Sequence, residues 1–232
     1  MRGLSPPARR ALRELRAKGA RRNIEGMARY GIRPKVAYGV PAPEVRAIAR
    51  RLGRSHALAL ELRATGVFEA RALAALIDEP AALTSREVDR WVLEFESWAD
   101  CDSTCLALFW KAPFAFAKAR AWTKRRPEVQ RRAAFSLMAA LAVHDKQAQD
   151  GAFVGLLPLI EAAAHDERNL VKKAVNWALR SIGKRNVRLN RQAVSAARRI
   201  ARLPSQGARW IASDALRELK SPQVQARLKK RL

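Results

Sequence analysis

The amino-acid sequence predicts an all-α protein, and three observations support this. Apolar residues recur at helical spacing along nearly all of the 232 residues. Val, Ile, Thr, Tyr and Phe never cluster into the alternating runs that are typical of strands. Helix start signals are frequent, and they divide the chain into about ten to twelve short helices.

The start signals are prolines and capping residues that stand at the beginning of segments with helical periodicity. A proline at the first turn costs no hydrogen bond, and a Ser, Thr or Asp side chain accepts from a free backbone N–H. In chain order, the signals are Pro43 before Glu44, Ser55, the capping-box pair Thr84 and Glu87, Pro127 before Glu128, and Asp150.

One segment near the N-terminus has the composition of a loop. The stretch from Arg29 to Pro43 contains two glycines and two further prolines. It separates an N-terminal helical extension or cap, residues 1–29, from the rest of the chain. No second boundary is evident, so we expect a single domain over residues 1–232.

Three helical segments are similar to one another. They begin at Arg131, Lys172 and Arg209, and are offset by 41 and 37 residues. A period near 40 residues with two helices per repeat is typical of HEAT-like repeats. We therefore expect a curved right-handed solenoid of antiparallel helix pairs with a concave surface.

The second of these segments has two contrasting faces. On a helical wheel, apolar residues from Val171 to Ile182 form a core stripe. Trp177 lies on the opposite side among Lys173, Arg180 and Lys184. Two interpretations stay open: Trp177 packs against the next repeat under lysine stems, or it belongs to a nucleic-acid surface that combines charge with an aromatic plane.

The repeat register extends this face to the neighbouring segments. The wheel of Ala133–Val143 puts Arg132 opposite the main apolar side, so we expect Arg132 to lie outside the core. The register then places equivalent side chains in one groove, although an ordinary solvated basic face is an alternative for Arg180 and Arg217. The equivalent sets are Arg132, Lys173 and Trp210; Ser136, Trp177 and Asp214; and Ala139, Arg180 and Arg217.

A further candidate site is the segment from Ser97 to Asp102. Ser97 is predicted to cap a helix, with Asp100 at the third position. Trp98 and Asp102 are then four residues apart and share a face. The alternative is an ordinary surface Asp beside a core Trp.

The charge balance points to a polyanionic partner. There are 46 Lys and Arg residues against 21 Asp and Glu, which gives a formal net charge of +25. An apolar fraction of 49% excludes a disordered basic tail.

Membrane, disulfide and metal sites are not expected. The longest nearly apolar run, Ala133–Val143, is too short to span a bilayer, and no signal peptide is recognisable, so a cytoplasmic location is the default expectation. Cys101 and Cys105 are the only cysteines and lie far from the histidines in sequence. We expect both to be reduced, half-buried packing residues.

Three sequence blocks together resemble the DNA alkylation repair family of HEAT-like-repeat DNA glycosylases, the AlkD type. They are Phe95–Asp102, Arg131–Phe135 and Val171–Arg180. The resemblance runs from about Tyr30 to Leu219 and includes Gly39-Val40-Pro41.

This resemblance implies a cofactor-independent glycosylase that removes cationic alkylated purines, such as 3-methyladenine and 7-methylguanine, from double-stranded DNA without base flipping. The matching residues imply catalytic roles for Asp102, Trp98 and Trp177. They imply backbone contacts by Arg132 or the neighbouring Arg131. Together with the basic face, the expected DNA-binding set is Arg132, Lys173, Arg180, Lys172, Arg131 and Trp210.

The sequence leaves other functions open. Ser97 stands where family members often have a second aromatic residue. A non-catalytic HEAT-like module that binds nucleic acid would need the charge but not the carboxylate. A protein scaffold with incidental charge is a third hypothesis. A monomer is the simplest expectation for an enzyme that wraps around a duplex.

Overall fold

The structure, a computed structural model, describes residues 3–230 and is all-helical over that range. It contains fifteen α-helices, more than predicted, because helices as short as five residues hold too few turns to show periodicity. The helices are α1 (Pro6–Ala17), α2 (Arg21–Arg29), α3 (Ala42–Leu52), α4 (His56–Ala64), α5 (Phe68–Ile77), α6 (Ser85–Leu93), α7 (Trp98–Ala107), α8 (Ala115–Trp122), α9 (Glu128–His144), α10 (Asp150–Val154), α11 (Leu157–Ala163), α12 (Asn169–Gly183), α13 (Val187–Ile200), α14 (Gln206–Leu219) and α15 (Pro222–Lys229), with a 3₁₀ helix at Phe109–Lys111.

The predicted helix starts agree with the structure. The side chain of Ser55 accepts from the backbone N–H of Leu58 at the start of α4. Thr84 and Glu87 form the reciprocal capping box of α6. Pro127 precedes α9, Asp150 begins α10, and Pro43 lies in the first turn of α3.

The chain divides into two compact units, Met1–Ala112 and Pro113–Leu232. No linker-like composition marks the division at Ala112. The predicted single domain over residues 1–232 stays a prediction, and each unit is described by itself.

In the first unit, α5 is the central helix. It packs against α1, α3, α4 and α7, and its apolar side chains from Ala70 to Ile77 are almost entirely buried. Helices α1 and α2 lie within residues 1–29, for which the sequence predicts a helical extension or cap, and α1 packs against α4 and α5. Residues 30–41 form most of the predicted loop.

A carboxylate of α5 holds that loop in place. The two oxygens of Glu69 accept hydrogen bonds from the backbone N–H groups of Tyr38, Gly39 and Val40 at 2.7–3.1 Å. Gly39 has a φ of +76°, and a Cβ atom there would lie 2.2 Å from the carbonyl oxygen of Ala20. Only glycine fits this close approach.

In the second unit, α9 and α12 form the centre. Helix α12 packs against α9, α13 and α14, and its predicted apolar stripe from Val171 to Ile182 is fully buried. Helix α9 packs between α8 and α12, and it is buried on every side from Arg132 to Ala142. The prediction that Arg132 lies outside the core is therefore wrong: Arg132 is 6% exposed.

Polar contacts between successive repeats have a regular sequence separation. Asn176 donates to Asp214 at 2.7 Å across 38 residues, and Arg199 donates to Glu161 at 2.7 Å, also across 38 residues. Asn186 donates to Asp150 across 36 residues. These contacts confirm the predicted period near 40 residues and the HEAT-like repeats.

Candidate nucleic-acid interface

Trp98 and Asp102 lie on α7, near its beginning. The Ser97 hydroxyl caps α7 by accepting from the backbone N–H of Asp100 at 3.3 Å. Both Trp98 and Asp102 are partly exposed, whereas Cys101 between them is fully buried. Because side chains four residues apart share a helix face, an indole and a carboxylate are both accessible on one side of α7. The alternative of a core Trp does not fit, since Trp98 is not in the core.

Two buried arginines hold the beginning of α7. Arg71 donates to the backbone oxygen of Glu94 at 3.0 Å, and its Nη1 lies 3.6 Å from carboxylate oxygens of both Glu96 and Asp100. Arg63 donates to Glu94 at 3.0 Å and lies 4.1 Å from the ring centroid of Trp91. The turn that carries Trp98 is thereby fixed to α4 and α5.

Asp100 is the buried carboxyl group of this cluster, with 2% of its surface exposed. Burial raises its pKa to about 6, although the charges of Arg63 and Arg71 oppose the shift. Burial also lowers the pKa of Arg63, against the attraction of Asp100 and Glu94. The free-energy cost of removing both charges from water therefore exceeds the free energy gained from their mutual attraction.

Tyr30 is a further candidate residue of the nucleic-acid interface, and the sequence motifs do not predict it. Its backbone oxygen accepts from the Trp98 indole Nε1 at 2.9 Å, and its side chain is 74% exposed. The same loop is held by the backbone N–H of Lys35, which donates to Glu96 at 3.0 Å. The sequence does contain one indication of this role, because Tyr30 is an aromatic residue between two arginines, Arg29 and Arg33, in the predicted loop.

Trp177 lines an open cleft in the second unit, with a volume of about 490 Å³. Four cationic residues share the cleft, and Trp177 itself is partly exposed. This favours the nucleic-acid interpretation of Trp177 over a purely packing role. Helical periodicity predicts Lys184 near Trp177, but it does not predict Arg185, which lies beyond the end of α12, or the two cations that come from separate segments. The four are Lys146, Lys184, Arg185 and Arg227.

The cations on α12 near this cleft are partly neutralised by α14. Glu218 binds both Arg180 and Lys184, the latter at 2.5 Å, and Asp214 lies 3.5 Å from Arg180. Burial acts to raise the pKa of Glu218, but the hydrogen bond from Lys184 and the charge of Arg180 lower it overall. Arg180 is therefore part of an ion-pair network and not an ordinary solvated cation.

The remaining predicted residues of α12 and α14 are accessible. Lys173 is exposed and has no salt-bridge partner among residues 3–230. The Lys172 ammonium lies 5.6 Å from the ring centroid of Trp210, which is 42% exposed. This pair presents a cation and an aromatic plane together.

Arg132 and Arg131 have structural contacts. Arg132 donates to the backbone oxygen of Leu170 at 2.6 Å and so joins α9 to the first turn of α12. The helical wheel failed here because α9 has no solvent face. Arg131 is more accessible, with its side chain 22% exposed, and pairs with Asp166 at 3.1 Å.

The described residues contain no membrane-length helix and no metal-ligand cluster. Over residues 3–230, no helix has the length and hydropathy to cross a bilayer. In the same range, no group of three or more His, Cys, Asp or Glu side chains is placed to hold a metal ion. Cys101 and Cys105 form no disulfide, and both are fully buried, whereas the sequence predicts that they are half-buried.

Comparisons with known proteins agree with this architecture. One solved structure has a TM-score of 0.77 and 22% sequence identity over 95% of both chains. It is described as representing a new family of proteins related to the HEAT-like repeat DNA glycosylases with affinity for branched DNA structures. No curated relative matches the sequence. The sequence model of the DNA alkylation repair enzyme family matches residues 11–219, and the chain therefore belongs to that family.

Proposed function

We propose that this protein is a DNA glycosylase that hydrolyses the N-glycosidic bond of cationic alkylated purines in double-stranded DNA, without base flipping. The observation that carries the proposal is the exposure of Trp98 and Asp102 on one face of α7, whereas Ser97 and Asp100 beside them are buried. Membership of the DNA alkylation repair family supports it. 3-Methyladenine and 7-methylguanine are the expected substrates.

One carboxylate is sufficient for this chemistry. An alkylated purine already carries positive charge, so it departs without protonation by a general acid. As the glycosidic bond breaks, positive charge develops on the deoxyribose, as in other glycoside hydrolyses. Asp102 would stabilise that charge and position the attacking water. No metal or cofactor is required.

Aromatic and basic side chains would bind the DNA. The indole faces of Trp98 and Trp177 attract a cationic nucleotide, each by about 0.5–2 kcal/mol. Lys172, Lys173 and Trp210 would contact the phosphate backbone from α12 and α14. Arg131 and Arg180 would contribute charge, whereas Arg132 would act by holding α9 and α12 in position.

The decisive experiment compares two carboxylate-to-amide variants on methylated duplex DNA. We expect Asp102→Asn to reduce release of 3-methyladenine and 7-methylguanine by at least 100-fold, while duplex affinity changes less than threefold. Glu79→Gln is the matched control, because Glu79 is an exposed acid in the same unit. It should release the bases at the wild-type rate. Release by the wild type that does not exceed the spontaneous rate would disprove the proposal.

A second candidate function is binding of branched DNA without catalysis. It is favoured by the description of the structural neighbour, and by Ser97, which caps α7 where an aromatic residue often stands in the family. In that case, the wild type would release no base and would bind a four-way junction more tightly than a duplex. Asp102→Asn would then change neither property.

A further inference from the structure

A second basic cleft lies in the same unit as Trp177, beside the beginnings of α9 and α12. Its volume is about 560 Å³. The turn after α8 supplies Lys124, Arg125 and Arg126, and the two helix beginnings supply Arg131 and Arg168. Leu159 and two alanines of α11 form an apolar wall. Five cations therefore surround one cleft.

Asp166 is the carboxylate that pairs with the two arginines of the helix beginnings, and Glu128 lies near Arg168. Asp166 is 7% exposed and binds Arg168 with both oxygens, at 2.9 and 2.6 Å, and Arg131 at 3.1 Å. Burial would raise the pKa of Asp166, but the bonds from Arg168 and the charge of Arg131 lower it overall. Asp166 thus holds two guanidinium groups in place without balancing the total charge.

Lys124 and Arg126 add charge that has no such counterion. Both residues are exposed, and neither side chain has a salt-bridge partner among residues 3–230. The Arg126 backbone oxygen accepts from Arg168, which fixes the turn against the beginning of α12. Glu128 in the first turn of α9 accepts from the backbone N–H of Leu170 at the beginning of α12 at 2.9 Å, so the positive ends of these helices are partly neutralised and the potential of the cleft comes from its side-chain cations.

We infer that this cleft binds a phosphate of the DNA backbone, as a second attachment point separate from the Trp177 cleft. The inference rests on the proposed DNA binding. Cations in a rigid arrangement around a partly apolar cleft suit a phosphodiester, which carries one negative charge and several acceptor oxygens.

The positions of the two clefts favour DNA over a free anion. Arg168 precedes α12 and Trp177 lies nine residues later, which is about 13 Å along the helix. That length corresponds to about four base steps of one strand. Nine residues also turn the helix by about 180°, so one DNA molecule reaches both clefts by crossing over α12 past Lys172 and Lys173.

The test compares the affinity of two double variants for undamaged duplex DNA over a range of salt concentrations. Lys124→Ala with Arg126→Ala should weaken binding at least tenfold, and should reduce the slope of log K against log salt by about 0.9 for the one lost phosphate contact. The matched control is Arg202→Ala with Lys220→Ala, which removes the same charge from exposed positions outside the cleft. It should change affinity less than twofold.

The inference is wrong if both double variants lose the same amount of DNA affinity. It is also wrong if Lys124→Ala with Arg126→Ala leaves the slope of log K against log salt unchanged. The single change Arg126→Glu should weaken binding more than Arg126→Ala, since it repels the phosphate. Excision is measured separately with Asp102→Asn. If the protein excises no base, the affinity measurements still test the phosphate cleft. If the cleft variants bind DNA normally, the glycosylase proposal still stands.

Discussion

Asp100 and Asp102 are two residues apart on α7 and have opposite environments. Asp100 is packed beneath the helix against Arg71, whereas Asp102 is partly exposed on the side of Trp98. A carboxylate that stabilises a cationic sugar must be accessible, and of these two carboxylates Asp102 is the accessible one. Asp100 has a different role, since it links the beginning of α7 to the arginines of the core.

The raised pKa of Asp100 predicts a particular dependence of stability on pH. Its pKa is about 6 in the folded protein, against an ordinary value of 3.8. The folded state therefore binds this proton more tightly than the unfolded state. The resulting stabilisation is present below pH 4 and is lost as the pH rises to 6.

Asp100→Asn should remove this dependence. The free energy of unfolding of the wild type, minus that of the variant, should fall by about 2 kcal/mol between pH 4 and pH 7, with little change above pH 7. Urea unfolding of both proteins at a series of pH values measures the difference. A difference that rises with pH would mean that the arginines outweigh the burial of Asp100.

At the level of helices, sequence periodicity predicted α12 correctly and α9 incorrectly. Helix α12 has one face in the core and one face with charged residues, so its wheel separated Val171 from Lys173. Helix α9 is enclosed, and Ser136 and Arg132 are buried together with its apolar residues. A helix buried on all sides has no polar face to locate, and the position of Arg132 depends on a tertiary hydrogen bond to Leu170.

The ion pairs between α12 and α14 could not be predicted from the sequence either. The repeat register predicts one groove that contains both Arg180 and Asp214, but it makes Arg217, and not Asp214, the equivalent of Arg180. It did not predict Glu218 as a shared partner of Arg180 and Lys184, since that depends on side-chain conformation. The net charge of a sequence does not show which Lys and Arg side chains already form ion pairs in the folded protein.

Glu218→Gln should therefore strengthen DNA binding. The change releases Arg180 and Lys184 beside the Trp177 cleft, and we expect duplex affinity to rise about threefold at low salt. The free energy of unfolding should fall by no more than about 1 kcal/mol, as is usual for accessible pairs. Fluorescence anisotropy with labelled duplex and urea unfolding measure the two effects.

Glu161→Gln is the control for this prediction, because it also breaks a carboxylate pair between repeats. Its partner Arg199 lies on α13, away from the residues that line the Trp177 cleft. Both variants remove one negative charge, so a difference in their DNA affinity shows the effect of where the carboxylate lies. Weaker binding by Glu218→Gln would indicate that Glu218 positions Arg180 for DNA.

For the whole molecule, the formal charge of +25 has consequences beyond individual contacts. Repulsion among unpaired cations opposes the compact state, and a bound polyanion relieves it. DNA should accordingly stabilise the fold, by about 2.7 kcal/mol when its concentration is 100 times the dissociation constant. A protein scaffold with incidental charge would not require this coupling.

Salt concentration tests this coupling directly. If about six phosphates are contacted, the slope of log K against log salt should be near −5, and affinity should fall about 10³-fold between 50 and 200 mM salt. The DNA-dependent increase in melting temperature should disappear over the same range, while the melting temperature without DNA rises, because salt screens the repulsion among the cations. Binding that persists unchanged at 200 mM salt would favour the scaffold hypothesis, because phosphate contacts necessarily release counterions.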